Sequence, residues 1–191
     1  MYQSLLADAR FHRLLLAMDH DMAADCRARG CGRCGGRLHS GRFWRKPRGL
    51  PAGLEEDFKR RFSFCCAKTE CRKRATPPSL RFLERKVYLA TVVTLVSALQ
   101  HGVTPERLRR LSAALGIDRR TVVRWREWWL SGVTAGRFWR AASAAFMPPV
   151  DATRLPASLL DRFAGDAGQR LLALLRWLAP ITGGASWAQD F

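Results

Sequence analysis

The chain has 191 residues, 48% of them apolar, which suits one sizeable globular domain or two small ones and argues against disorder throughout. Its 33 Lys and Arg against 16 Asp and Glu leave a net charge of +17; residues 1–140 carry 29 basic and 12 acidic side chains, residues 141–191 four of each. A field of that sign recruits polyanions by releasing their counterions, and bases dominated by Arg and spread over loops and several segments favour nucleic acid over an anionic membrane, which suits one long basic amphipathic helix.

The first element is expected to be a helix over about residues 3–25, with Leu5, Leu6, Phe11, Leu14, Leu15, Met18 and Met22 on one face. Its start lacks the basic flank of a signal peptide. The longest apolar stretch, "VYLATVVTLVSAL" at 87–99, is interrupted by Thr91, Thr94 and Ser97 and is too short to span a bilayer. A cytoplasmic, nucleoid-associated protein is the expectation, and in that compartment six cysteines are metal ligands or free thiols rather than disulfides.

Residues 26–78 form a second segment, rich in glycine and holding the cysteines. "CGRCGGRLH" sets Cys31 and Cys34 as a C-x2-C pair, and "FCCAKTEC" supplies Cys66 and Cys71 after a gap of about thirty residues. Two tight turns, each presenting two thiolates, are what a tetrahedral structural zinc site needs, and glycine beside the second cysteine lets the backbone turn around the metal. A redox dithiol would need a helix starting at the pair, which Gly32, Gly35 and Gly36 oppose. Cys65 can replace Cys66 in this scheme, and His39 and Cys26 are further substitutes. "RRFSFCC" at 60–66 reads as a strand.

Between the cysteine pairs, "SGRFWRKPRGLP" mixes Arg42, Arg45, Lys46 and Arg48 with Phe43 and Trp44, and no carboxylate occurs from 26 to 54. Either this loop is an arm for phosphates or the minor groove, or Phe43 and Trp44 form the small core of the module. Arg72, Lys73 and Arg74 add a phosphate patch.

Ser79, behind Pro77 and Pro78, is predicted to cap one long, largely buried helix that ends before Gly102. Next, "TPERLRRLSAALGIDRRTVVRWREWWL" at 104–130 has the pattern of a helix-turn-helix within segment 79–132. Leu108, Leu111 and Leu115 face inward, Ser112 permits close approach, Gly116 makes the turn, and Ile117, Val122 and Trp125 complete the core. The exposed face of the second helix is then Arg119, Arg120, Thr121, Arg124 and Arg126, the candidate DNA contacts. In the last segment, 133–191, Leu171, Leu174, Leu175 and Leu178 form a helical stripe.

"CGRCGGRLH…RKPRG", "FCCAKTECRKRATPPS…VYLA" and the following helix-turn-helix resemble bacterial proteins of mobile-element neighbourhoods. Over about residues 25–130 the chain is similar to the zinc-binding and helix-turn-helix N-terminal regions of insertion-sequence transposases and their accessory DNA-binding proteins. The resemblance implies recognition of DNA ends or an operator, with Cys31, Cys34, Cys66 and Cys71 as zinc ligands and the helix from Arg119 as reader. Those transposases also carry a catalytic domain with three metal-binding carboxylates, whereas residues 133–191 offer only Asp151, Asp161, Asp166 and Asp190, scattered.

The expectation is therefore a mainly α protein: an N-terminal helix (1–25), a small zinc-ribbon-like module with short β-strands (26–78), a long helix plus helix-turn-helix (79–132) and C-terminal helices (133–191). Its expected function is zinc-stabilised binding of double-stranded DNA without enzymatic activity, as an accessory or regulatory factor. A transposase or recombinase and a second copy of the chain are the further partners this admits. The competing expectation is an adaptor whose leucine-striped tail docks such a partner.

Overall fold

In the computed structural model, the residues described are 2–41, 43, 44, 54, 56–83, 88–98, 106, 109, 113 and 115–183. The chain is mainly helical with a small antiparallel sheet, and it divides into two units. In chain order its helices are α1 (Tyr2–Ala7), α2 (Ala9–Arg29), α3 (Ala90–Ala98), α4 (Arg119–Glu127), α5 (Arg137–Ala142), α6 (Ala157–Leu160) and α7 (Ala167–Thr182). The strands are β1 (Leu38–Ser40), β2 (Phe43–Trp44), β3 (Arg60–Arg61), β4 (Phe64–Cys66), β5 (Arg74–Ala75), β6 (Phe82–Leu83) and β7 (Tyr88–Leu89).

The cysteine unit comprises the described residues of Asp8–Pro47, Gly53–Val87 and Leu178–Phe191. The single N-terminal helix expected over 3–25 is broken, because the Asp8 carboxylate accepts the Arg10 amide proton at 2.9 Å and caps a new helix, α2. That helix runs past 25 to Arg29 and stops at Gly30, whose φ of +77° suits glycine. Its buried face is Phe11, His12, Leu15, Asp19 and Ala23; Leu14, expected inside, is exposed, and Met18 and Met22 are half-buried. Sheet order is β1-β4-β5, with β2 paired to β3. The strand expected over 60–66 is thus two strands, β3 and β4, in different sheets.

A second correction concerns the long helix expected from Ser79. Ser79 Oγ does accept the amides of Arg81 and Phe82, each at 3.2 Å, as a cap would. The chain then enters the short strand β6, and helix begins only at Ala90. What holds Ser79 is the buried Asp19, whose Oδ2 accepts its hydroxyl at 2.6 Å.

Within the helical unit, the described residues of Met1–Ala7 and Tyr88–Trp177, α3 packs against α1 and α4. Every described side chain of α3 from Ala90 to Val96 is buried, including Thr91 and Thr94. Gly116, at φ +61°, leads into Asp118, whose carboxylate accepts the Thr121 amide at 2.7 Å and caps α4. After Glu127 the helix widens into π turns over Trp128–Val133, beyond the predicted end at Leu130. Phe138 and Trp177 pack edge to face at 4.6 Å between centroids.

Candidate metal centre and basic surfaces

Two chain reversals build the cysteine centre. In the first, the Cys31 carbonyl accepts the amides of Cys34 (3.3 Å) and Gly35 (2.8 Å), and the Cys31 amide donates to Gly36 O at 2.9 Å. In the second, Lys68 O accepts from Cys71 (3.1 Å) and Arg72 (3.0 Å), while the Cys66 amide donates to Lys73 O at 2.9 Å. The residue after each closing cysteine is left-handed: Gly35 at φ +66° and Arg72 at +42°. Gly36 is required for another reason, since a Cβ there would lie 3.0 Å from Cys66 Sγ and 3.3 Å from Cys34 Sγ.

These reversals bring together Cys31, Cys34, Cys66 and Cys71, with all four sulfurs within 4.8 Å of one another. Cys31 and Cys71 are 3.7 Å apart and Cys34 and Cys66 3.5 Å. Four thiolates about 2.3 Å from one zinc ion stand roughly 3.8 Å from each other, so the cluster fits a tetrahedral ion. Among the described residues it is the one group of three or more His, Cys, Asp or Glu side chains close enough to hold a metal. Backbone amides of Arg33 and Cys34 donate to Cys31 and lower its thiol to about 6, whereas burial pushes Cys66 up to about 12. Cys31 is thus the more readily ionised thiol of the two and Cys66 the less.

Of the alternative ligands, Cys65 points away, its thiol donating to Arg72 O at 3.3 Å. His39 is exposed on the strand register opposite Cys65. Cys26 is half-buried against the same small core, formed by Ala23, Cys31, Leu38, Phe64 and Cys66, and is not one of the four. Two of its five buried members, Cys31 and Cys66, belong to the cysteine cluster, so core and cluster share residues.

Directly opposed residues share a face of a sheet, so His39, Cys65 and Arg74, in register across β1-β4-β5, line the outward side. Elsewhere in this unit Arg33, Arg37, Lys68, Arg72 and Lys73 are exposed, with Glu70 the acid of the stretch. Of these the sequence singled out Arg72, Lys73 and Arg74. It missed Arg33 and Arg37, whose place beside a ligand and one step before a buried strand residue was a usable signal. Arg42, Arg45, Lys46 and Arg48 lie outside the described residues, as do Leu108, Leu111 and Ser112.

On α4, Arg119, Arg120, Arg124 and Arg126 are exposed. Thr121 is not: it is 2% exposed and belongs to a buried stripe with Ile117, Trp125 and Trp129, each four residues on. Its assignment to the DNA-facing surface is therefore corrected. Its Oγ1 accepts from Arg124 Nη2 at 3.2 Å, drawing that guanidinium back along the helix. Val122, expected in the core, is half-buried. Leu171, Leu174, Leu175 and Leu178 on α7 are all buried within the chain.

The site defines a mainly helical protein carrying a four-cysteine metal-type centre and two basic faces. Compared with known proteins, the chain matches no family model, no curated protein and no solved structure. Among the described residues no helix is long and apolar enough to cross a membrane.

Proposed function

We propose that the chain binds double-stranded DNA, with one zinc ion holding a ribbon-like module in shape. The observation that carries this reading is α4, whose buried stripe of Thr121, Trp125 and Trp129 leaves Arg119, Arg120 and Arg126 together on the exposed side. A helix entered through a glycine turn, anchored on one face and arginine-lined on the other, suits the major groove, where guanidinium groups bond guanine or phosphate. A cluster that, among the described residues, is made of four cysteines alone suits zinc as a structural ion, and its role would be to supply folding free energy to a unit with little apolar core. The basic sheet face around Arg37 and Arg74 would follow phosphates, and the sequence assigns the same role to Arg42, Arg45, Lys46 and Arg48. The resemblance to transposase N-terminal regions supports an accessory or regulatory role at mobile-element DNA, in the cytoplasm with the nucleoid.

The test is metal content of the purified chain together with gel shifts on a duplex at two or more salt concentrations. One zinc per chain is expected, with affinity falling steeply with salt. Replacing Arg119, Arg120 and Arg126 by alanine is expected to weaken binding at least tenfold; unchanged binding overturns the reading of α4.

A further inference from the structure

Basic side chains dominate the exposed side of α4, yet its outermost position is apolar. At about 100° per residue, Val123 lies roughly 160° from both Thr121 and Trp125, the buried residues on either side of it in sequence. It is 46% exposed, one of three large hydrophobic side chains so placed among the described residues. Arg119 and Glu127 fall within about 40° of it and Arg120 and Arg126 within about 60°. Arg124, about 100° away and bonded to Thr121, is a flank residue.

In the major groove the crest of a helix meets base edges and its flanks meet phosphates. The one apolar feature at a base edge is the 5-methyl group of thymine, and small apolar side chains pack against it. A carboxylate near the crest, Glu127, disfavours burying that line against phosphates and keeps it over the bases, where C N4 is a donor. Resting on the proposal that α4 enters the major groove, we infer that Val123 packs against a thymine methyl and makes the protein select thymine at one position of its site. Arg119, Arg120 and Arg126 supply the surrounding guanine and phosphate contacts.

The experiment begins with selection from a randomised duplex pool by the full, metal-loaded chain. Each thymine of the selected consensus is then replaced by uracil, which removes only the methyl. One uracil duplex is expected to bind the wild type about fourfold more weakly, the value of one buried methyl. Val123→Ala, an exposed substitution that leaves the core intact, is expected to bind thymine and uracil duplexes equally. If wild type ignores every uracil substitution, or Val123→Ala keeps the full thymine preference, the assignment of Val123 falls while DNA binding through α4 stands. If no consensus emerges, or Arg119→Ala and Arg126→Ala bind as wild type does, the reading of α4 falls and Val123 with it.

Discussion

Arg81 Nε donates to Asp19 Oδ2 at 2.8 Å, and both residues are 1% exposed. Both partners make further hydrogen bonds. Asp19 also accepts the Ser79 hydroxyl and the Leu80 amide, each at 2.6 Å. Arg81 donates to Phe58 O and Arg60 O at 2.8 Å, and its guanidinium packs over the rings of Phe58, Phe62 and Phe82 at 5.0–5.6 Å. Burial lowers the Arg81 pKa while Asp19 opposes that shift, so the buried cation depends on its partner to offset the cost of its desolvation. Asp19→Ala is expected to destabilise the cysteine unit by about 3–5 kcal/mol, read by denaturant unfolding, because it strands a buried guanidinium and an amide. Arg81→Lys, which keeps the charge but not the fork of donors, should recover little of that.

Gly36 faces the two sulfurs of Cys34 and Cys66. Gly36→Ala is expected to weaken zinc retention against a chelator at least tenfold, since metal-fixed sulfurs cannot yield the few tenths of an ångström a methyl needs. Gly32, which has nothing within 4 Å of its missing Cβ, should tolerate the same change.

Metal binding should depend on pH in two regimes. Above about 6 Cys31 is already a thiolate, while Cys66, held up to about 12, releases its proton as the ion binds. Below about 6 the ion must also displace a proton from Cys31, so the plot of log affinity against pH steepens by about one as pH falls. In the metal-free chain the two groups act oppositely on stability. The lowered Cys31 contributes above the ordinary thiol value of 9.0 and loses its contribution as pH falls through about 6; the raised Cys66 contributes below 9.0 and loses it as pH rises through about 12. Zinc titrations from pH 5 to 8 read the first effect, and unfolding of the apo chain the second.

Arg72 occupies a left-handed position that its counterpart fills with Gly35. Arg72→Gly is expected to stabilise the unit by about 0.5–1 kcal/mol, the backbone strain removed less the added freedom of the unfolded chain. If Arg72 also touches a phosphate, the same variant binds duplex more weakly, with a salt slope lower by about one. Stability and binding would then move in opposite directions, and circular dichroism melts with gel shifts read both.

The cysteine centre was legible because ligation constrains residue type, spacing and turn together: C-x2-C with following glycines has few other uses. Leu171, Leu174, Leu175 and Leu178 were legible as a buried stripe for the same reason, periodicity. Ser79 misled because its hydroxyl caps two amides in an extended chain as it would at a helix start. In the run from Ala90 to Val96 the polar residues Thr91 and Thr94 are buried with the rest, so no exposed side marks the helix. Asp19 and Arg81 are residue types usually found at the surface, and only their pairing across 62 positions allows them inside. Thr121 reads as a polar member of a basic face until its spacing to Ile117 and Trp125 is given more weight than its hydroxyl.

Thr182, near the end of α7, is tied to residues far earlier in the chain. Its hydroxyl accepts the Ser79 amide at 2.7 Å, and its carbonyl accepts from the buried Arg61. These links span 103 and 121 residues, whereas the cysteine reversals span at most 40. The two cysteine reversals thus need only residues up to Cys71 to meet, whereas the wall beside Ser79 needs the chain as far as Thr182. A shortened chain ending before α7 would lack that wall as well as the helix, so a loss of DNA affinity on such truncation would report incomplete folding and not a missing contact to nucleic acid.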